Sequence, residues 1–151
     1  MSDLVPHLQS SSPPARPAVV LHIEPDAAGG RMLASVLRDV WPGAFDVVHV
    51  GSLAAAVARL QGGGIDCVLL GERLPDAGEL EALDRLARRA PRVPVVVFTD
   101  SGDEDLRVRA VRAGAQDFLS TGTDGYALGR ALRYAVERKR REILLARRRA
   151  T

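Results

Sequence analysis

Three oxygen-bearing side chains follow apolar runs of the sequence, at points where a cation-binding or phosphate-binding site could form. Glu24 and Asp26 come after the run 19–23, and Thr99 directly follows Val95–Phe98. Divalent cations such as Mg²⁺ prefer oxygen ligands. The spacing therefore indicates either a weak cation site or a loop of solvated acidic residues.

A glycine occupies the corresponding position after the third apolar run. Gly71 follows Cys67–Leu70 and is itself followed by Glu72. In an open parallel sheet, ligands and reactive side chains gather just beyond the carboxyl ends of the strands. At Gly71 the chain offers no side chain that could react there.

Short apolar runs alternate along the chain with segments of helical periodicity. The five runs predict strands, and the segments between them carry apolar residues three or four positions apart, which predicts helices. The near-continuous apolar character of the strands indicates a parallel sheet covered on both faces. We predict a doubly wound, flavodoxin-like α/β fold with strand order 2-1-3-4-5 and five helices. The last helix is expected to be extended, from about Asp124 to near Arg147.

Composition places the chain among ordinary globular proteins. Its 151 residues are 46% hydrophobic and 26% charged, enough for one domain with a core. The apolar runs are far shorter than the ~20 residues that span a bilayer, and the N-terminal residues do not resemble a secretory signal. The single cysteine, Cys67, is expected to be a core residue. We therefore predict a cytoplasmic protein without a membrane span.

Charge is distributed unevenly along the sequence. Residues 126–151 contain nine basic and two acidic side chains, a net charge of +7 within a chain whose total is +2. Such a basic helix could bind nucleic acid or an anionic surface through its charge. No aromatic residues or base-reading motif occur in the tail KRREILLARRRA (139–150), so any such contact would be unspecific.

The three histidines do not indicate an enzyme. His22 is expected in the core of the first strand, His49 in the second strand and His7 in the N-terminal segment. No Ser-His-Asp arrangement and no metal-ligand spacing occurs in the sequence. We expect no catalytic residues, no metal site and no cofactor.

Four motifs resemble the receiver domain of two-component response regulators. They are LLGERLPD, VPVVVFTDSGDED, VRAGAQDFL and RALRYAVERKR, which begin at Leu69, Val93, Val111 and Arg130. The resemblance covers residues 17–141, which we interpret as a receiver-like domain. Residues 1–16, rich in Ser and Pro, are expected to form a disordered leader, and residues 142–151 a basic C-terminal helix extension.

The resemblance implies a phosphoryl transfer from a histidine kinase to an aspartate at the end of the third strand. Members of the family use Mg²⁺, an acidic pair, a hydroxyl and a lysine for this reaction. By resemblance, the acceptor position is Gly71, the second member of the acidic pair is Pro25, and the lysine position is Thr121. Thr99 retains the hydroxyl, and Phe118 occupies the position of the aromatic switch residue.

These replacements predict a pseudo-receiver, a domain that has the receiver fold without its phosphorylation chemistry. Glu24 and Asp26 would form a vestigial acidic pocket that binds Mg²⁺ weakly or not at all. We expect a phosphorylation-independent protein–protein interaction module in two-component-type signalling. The alternatives are phosphorylation of a non-standard carboxylate, such as Glu72 or Asp76, and binding of nucleic acid or an anionic surface through the C-terminal helix.

Partner contacts are expected on the fourth helix and the last helix. By resemblance this surface includes Arg109 and Arg112. Apolar residues beyond Arg138 have no intramolecular surface to bury against, so we expect this end to pair with a second copy or with a partner helix. The residues predicted for the interface on the last helix are Leu132, Val136, Ile143 and Leu144.

Overall fold

The computed structural model describes residues 16–150, in which five strands alternate with five helices. The strands are β1 (Ala18–Ile23), β2 (Phe45–Val50), β3 (Cys67–Leu70), β4 (Val95–Phe98) and β5 (Asp117–Leu119). The helices are α1 (Ala27–Val40), α2 (Leu53–Gln61), α3 (Glu79–Arg89), α4 (Glu104–Arg112) and α5 (Gly125–Ala150). All strands are parallel and lie in the order β2-β1-β3-β4-β5, which confirms the predicted doubly wound fold.

Most of the predicted leader, with His7, lies outside the described residues. Arg16 is described, and its guanidinium forms an ion pair with the Asp66 carboxylate at 2.9 Å. The backbone N–H of Val19 donates to the same carboxylate at 2.8 Å. These contacts lie where β1 and β3 begin, at the edge of the sheet opposite the candidate site.

The strand register brings three strand ends to one edge of the sheet. Ile23 pairs with Leu70 across β1 and β3, and Leu70 pairs with Val97 across β3 and β4. Since all three strands run in the same direction, the residues that follow them emerge side by side. This alignment positions the loops that begin at Glu24 and Gly71 next to the loop after β4.

Each face of the sheet has its own hydrophobic core. Helices α2, α3 and α4 cover Leu21, Ile23 and Leu70, whereas α1 and α5 cover Val20 and Leu69. Full burial of each of these leucines contributes about 1.5–3 kcal/mol. Successive strand residues point to opposite faces of the sheet, so His22, which follows Leu21, points toward α1 and α5.

Cys67 lies in the core between the sheet and helices α1 and α5. Its side chain is fully buried, and burial raises the pKa of its thiol to about 12. A thiol that stays protonated at neutral pH is a poor nucleophile. The structure confirms the prediction that Cys67 is a core residue.

Helix α5 divides into a buried half and an exposed half. Leu132 and Val136, predicted for the interface, instead lie in the core, because the first turns of α5 pack their apolar side against the sheet. In the exposed half, the Glu142 carboxylate accepts a hydrogen bond from the Gln116 side chain at 3.2 Å. Beyond it, α5 continues for two further turns to Ala150. Within residues 16–150, no helix combines the length and the apolar character needed to cross a bilayer.

Candidate functional site

Gly71 lies at the tip of β3 in close contact with the backbone of β1. Its N–H donates to the Ile23 carbonyl oxygen at 2.9 Å. A Cβ placed on Gly71 would lie only 2.5 Å from that same oxygen, closer than two such atoms can approach. The spacing between the two strands therefore requires glycine here.

The acidic residues after β1 do not form a cation site. The Asp26 carboxylate caps α1 by accepting hydrogen bonds from the N–H groups of Ala28 and Gly29, at 3.2 and 3.3 Å. Pro25 has no side-chain oxygen, and Glu24 remains as a half-buried carboxyl whose pKa is raised by burial. Over residues 16–150, no three His, Cys, Asp or Glu side chains are grouped to hold a metal ion. The residues present do not fit the Mg²⁺ site that the resemblance implies.

The Glu72 carboxylate connects the end of β3 to the end of β4. Its Oε2 accepts a hydrogen bond from the Thr99 hydroxyl and a second one from the Asp100 backbone N–H at 3.3 Å. Thr99 is 1% exposed, so the first bond is shielded from water. From the sequence we considered Glu72 only as a substitute phospho-acceptor and missed this contact. The sequence signal that could have indicated the contact is the position of Glu72, directly after Gly71, which has no side chain.

Glu79, the first residue of α3, adds a second carboxyl near Glu72. Burial raises the pKa of Glu79, and the negative charge of Glu72 raises it further. Within the described part of the chain, its buried Oε2 has no hydrogen-bond partner. The sequence did not single out this residue, because an acidic side chain in the first turn of a helix is ordinarily explained by the helix dipole.

The lysine position of the family is occupied by a side chain that is already hydrogen-bonded. The Thr121 hydroxyl donates to the Asp100 carboxylate, across the ends of β5 and β4. Because threonine is uncharged, Thr121 places no positive charge near Gly71. The structure thus brings Glu24, Gly71 and Thr121 to one edge of the sheet, as predicted, and none of the three has a positively charged side chain.

Asp76 is also engaged elsewhere. Its carboxylate accepts hydrogen bonds from the N–H groups of Leu53 and Ala54, both at 2.9 Å, and these bonds lower its pKa. Asp76 therefore stabilises the start of α2 and holds the loop after β3 against it.

Phe118 points into the core beneath α4. Its side chain is 6% exposed, and the guanidinium carbon of Arg107 lies 5.0 Å from the centre of its ring. This cation–π contact covers the remaining exposed side of the ring. The residue at the switch position is therefore held inward.

A cavity of about 250 Å³ opens beside Gly71, between the sheet edge and helices α1 and α5. Its apolar wall includes Met32, Val36, Phe98 and Leu128. Met32 is 70% exposed at the rim of this cavity. The remaining wall is polar and includes His22, Glu24, Glu72, Thr121 and Thr123.

His22 is the most deeply buried polar residue of this cavity. It is 3% exposed, as predicted for a core residue. Burial, and to a smaller extent the nearby charge of His49, whose ring centre lies 6.0 Å away, lower the pKa of its imidazole to about 4. The ring is therefore neutral at pH 7. Its Nδ1 has no hydrogen-bond partner among residues 16–150.

Residues 20–133 match the family model described as the response regulator receiver domain. The chain belongs to this family. The matched range includes all four positions that the sequence analysis compared with the phosphorylation site, namely Pro25, Gly71, Thr99 and Thr121.

Curated relatives of this receiver domain are longer proteins. Nodulation protein W of Bradyrhizobium diazoefficiens is 34% identical over 127 residues, which cover 83% of this chain and 55% of the relative. Regulatory protein LuxO of Vibrio cholerae is 37% identical over 75 residues, which cover 50% of this chain and 16% of the relative. The chain thus spans about half of the first protein and a smaller part of the second.

Solved receiver domains share the fold at low sequence identity. The signal receiver domain of a putative LuxO repressor protein from Vibrio parahaemolyticus has a TM-score of 0.75 at 24% identity, over 86% of this chain and 97% of that one. The beryllofluoride-activated NtrC4 receiver domain dimer has a TM-score of 0.72 at 20% identity, over 80% of this chain and 98% of that one. The receiver architecture is therefore shared at sequence identities below 25%.

Proposed function

We propose that this receiver domain works without phosphorylation, as a protein–protein interaction module in two-component-type signal transduction. It catalyses no reaction and acts in the cytoplasm. The observation that supports this proposal most is at Gly71. The position that the resemblance assigns to the acceptor has no side chain, and the Ile23 carbonyl oxygen occupies the space that a side chain would need.

The contact between Glu72 and Thr99 supports the proposal independently. In a phosphorylated receiver, the hydroxyl after β4 would be available to the oxygens of the phosphoryl group. Here the Thr99 hydroxyl already donates to a carboxylate of the same chain. Such charge-assisted hydrogen bonds are stronger than neutral ones. The loops after β3 and β4 are thereby held in one arrangement that needs no covalent modification.

Acetyl phosphate with Mg²⁺ is expected to leave the protein unmodified. No carboxylate stands at position 71 and no lysine at position 121, and residues 16–150 contain no group of three His, Cys, Asp or Glu side chains that could hold a metal ion. The charge of an incoming phosphoryl group would therefore not be offset. Intact-mass spectrometry before and after incubation should show no gain of a phosphoryl group.

The control is a phosphorylatable receiver domain incubated in the same tube. A phosphoryl adduct on the present protein that is lost in alkali would contradict the proposal. Peptide mapping would then show whether Glu72 or Asp76 carries it, as the alternative of a non-standard acceptor requires.

The exposed half of α5 is the surface that we propose for partner contact. We define the α5 stripe as Tyr134, Arg141, Leu144, Leu145 and Arg148, which lie along one side of the helix. Tyr134 is 58% exposed and Leu144 55% exposed, an unusual exposure for large apolar side chains. Ile143, also predicted for the interface, is half-buried beside the stripe.

Helix α4 presents a second surface with a similar mixture of side chains. Arg109 and Arg112 are exposed there, next to Val108 and Val111, which are 45% and 56% exposed. Arg109 also forms an ion pair with Asp105 at 2.9 Å. Exposed ion pairs contribute little to stability, so Arg109 can exchange this contact for one with a partner.

A second copy of the chain is the occupant that we propose for the α5 stripe. Burying exposed leucines between two helices is favourable, and a solved receiver domain of the same fold is a dimer. Residues 138–149 carry seven basic side chains and one acidic one, so two copies of this segment also repel each other. Salt screens that repulsion without weakening the apolar contact.

Dimerisation is therefore expected to strengthen as the salt concentration rises. Sedimentation equilibrium at low and high salt measures this directly. Leu144→Glu, which places a charge in the apolar contact, should weaken the dimer about tenfold or more. Ala58→Glu, at an exposed position of α2 outside both proposed surfaces, is the control and should leave the dimer unchanged.

A strict monomer at every salt concentration would contradict the second copy as occupant. The nucleic-acid alternative has the opposite salt dependence, because binding to phosphates releases counterions. Fluorescence anisotropy with duplex DNA therefore separates the two: tight binding that weakens steeply with salt would favour nucleic acid.

A further inference from the structure

We infer that the cavity beside Gly71 is a binding site for a small organic amine, with the ammonium group at its acidic end and an apolar body against α1 and α5. This inference goes beyond the proposed function and does not depend on how the domain contacts its partner.

The acidic end of the cavity lacks a compensating charge. Glu24 and Glu72 both line it, and no Lys or Arg side chain does. The Oε2 atom of Glu24 lies 3.4 Å from the place where a Cβ on Gly71 would stand, so the glycine leaves this carboxylate facing the cavity. A half-buried carboxylate without a cation gains from a ligand that carries one.

His22 supplies a second, independent feature that indicates a ligand. Its imidazole lines the cavity although the residue is only 3% exposed. Its Nδ1 has no hydrogen-bond partner in the described part of the chain. Such buried polar atoms are rare in folded proteins, because leaving one unpaired costs free energy. An ammonium group has three N–H donors, enough to serve a neutral imidazole nitrogen together with a carboxylate.

The other end of the cavity suits an apolar group of limited size. Phe98 and Leu128 form its inner wall, while Met32 and Val36 line its more exposed side. The volume of about 250 Å³ is below the range of about 300–1,000 Å³ that is typical of sites for drug-sized ligands. The cavity therefore fits a short alkyl or single-ring amine.

Three probes of nearly equal shape test the inference on the whole chain. They are phenethylamine, phenethyl alcohol and hydrocinnamate, which share a ring and a two-carbon linker and differ in the charge of the head group. In amide NMR titrations, phenethylamine should cause saturable shifts at Gly29, Leu33 and Thr123. Its Kd should be about tenfold or more below that of the alcohol, as expected for a charge-assisted hydrogen bond. Hydrocinnamate should not bind.

Two variants and a control locate the binding. Glu24→Gln should abolish the preference for the amine over the alcohol, and His22→Leu should weaken amine binding. Asp39→Asn removes the same charge at an exposed position of α1. It should leave both the preference for the amine and the strength of amine binding unchanged. Equal affinity for amine and alcohol in the unaltered protein, absence of saturation, or a preference that survives Glu24→Gln would overturn the inference. The comparison of probes on the unaltered protein decides the question even if a variant fails to fold.

Discussion

Gly71→Asp is expected to destabilise the protein and still leave it unphosphorylated. The new Cβ would lie 2.5 Å from the Ile23 carbonyl oxygen, so β1 and β3 would have to separate. Forcing extra atoms into a packed site typically costs about 1–3 kcal/mol. The introduced carboxylate would also lie near the Glu24 and Glu72 carboxylates, and like charges repel. Urea unfolding measures the loss of stability, and intact mass after incubation with acetyl phosphate and Mg²⁺ measures labelling.

Two glycine variants separate the causes of this effect. Gly71→Ala introduces the steric conflict without the charge and should account for much of the lost stability. Gly102→Ala is the matched control, because a Cβ there meets no atom within 4 Å. Efficient labelling of the Gly71→Asp variant would contradict our interpretation. It would show that the acceptor alone was missing and that Pro25 and Thr121 do not prevent the reaction.

The buried imidazole of His22 is expected to make the protein less stable in mild acid. Its pKa is about 4 in the folded state, against 6.5 for the free side chain. Between these values the unfolded state binds a proton that the folded state does not, so stability falls as the pH falls below 6.5. From pH 7 to pH 5 the loss from this one group is about 2 kcal/mol. Urea unfolding at pH 7 and at pH 5 measures the free energy of unfolding of the unaltered protein and of His22→Leu. The unaltered protein should lose this amount relative to the variant.

Other groups near His22 titrate with the opposite sign but do not obscure the comparison. Burial raises the pKa of Glu24 and of Glu79, so their contributions to stability are present at acid pH and are lost as the pH rises. They remain in the variant and cancel in the difference. Val20→Ala, on the same strand and face, is the control: it should lower stability by a similar amount at both pH values. A constant gap for His22→Leu would show that the imidazole is not held neutral.

The strand ends of this receiver domain use several of their side chains for structural contacts. Gly71 lets two backbones approach closely, Asp26 caps a helix, and Asp76 caps another. Each of these contacts contributes to the structure at a place where the family arranges chemistry. The Thr99 hydroxyl donates to the Glu72 carboxylate, so it too serves a contact within the chain.

The amino-acid sequence by itself determined the architecture of this protein. Alternation of apolar runs with helical periodicity predicted the five strands, the five helices and the strand order, because these patterns depend on local geometry and on burial. It also predicted that the chain departs from the family at Gly71, Pro25 and Thr121, since a missing functional group is visible in the residue type alone.

Only the tertiary structure decided which side chains meet and which are buried. Glu72 and Thr99 are far apart in the chain, and their hydrogen bond depends on the register between β3 and β4. Leu132 has the same residue type as the exposed Leu144 and Leu145 of α5, and its burial depends on where the sheet ends beneath the helix. Contacts between distant residues and the depth of a helix face follow from packing, which no local pattern encodes.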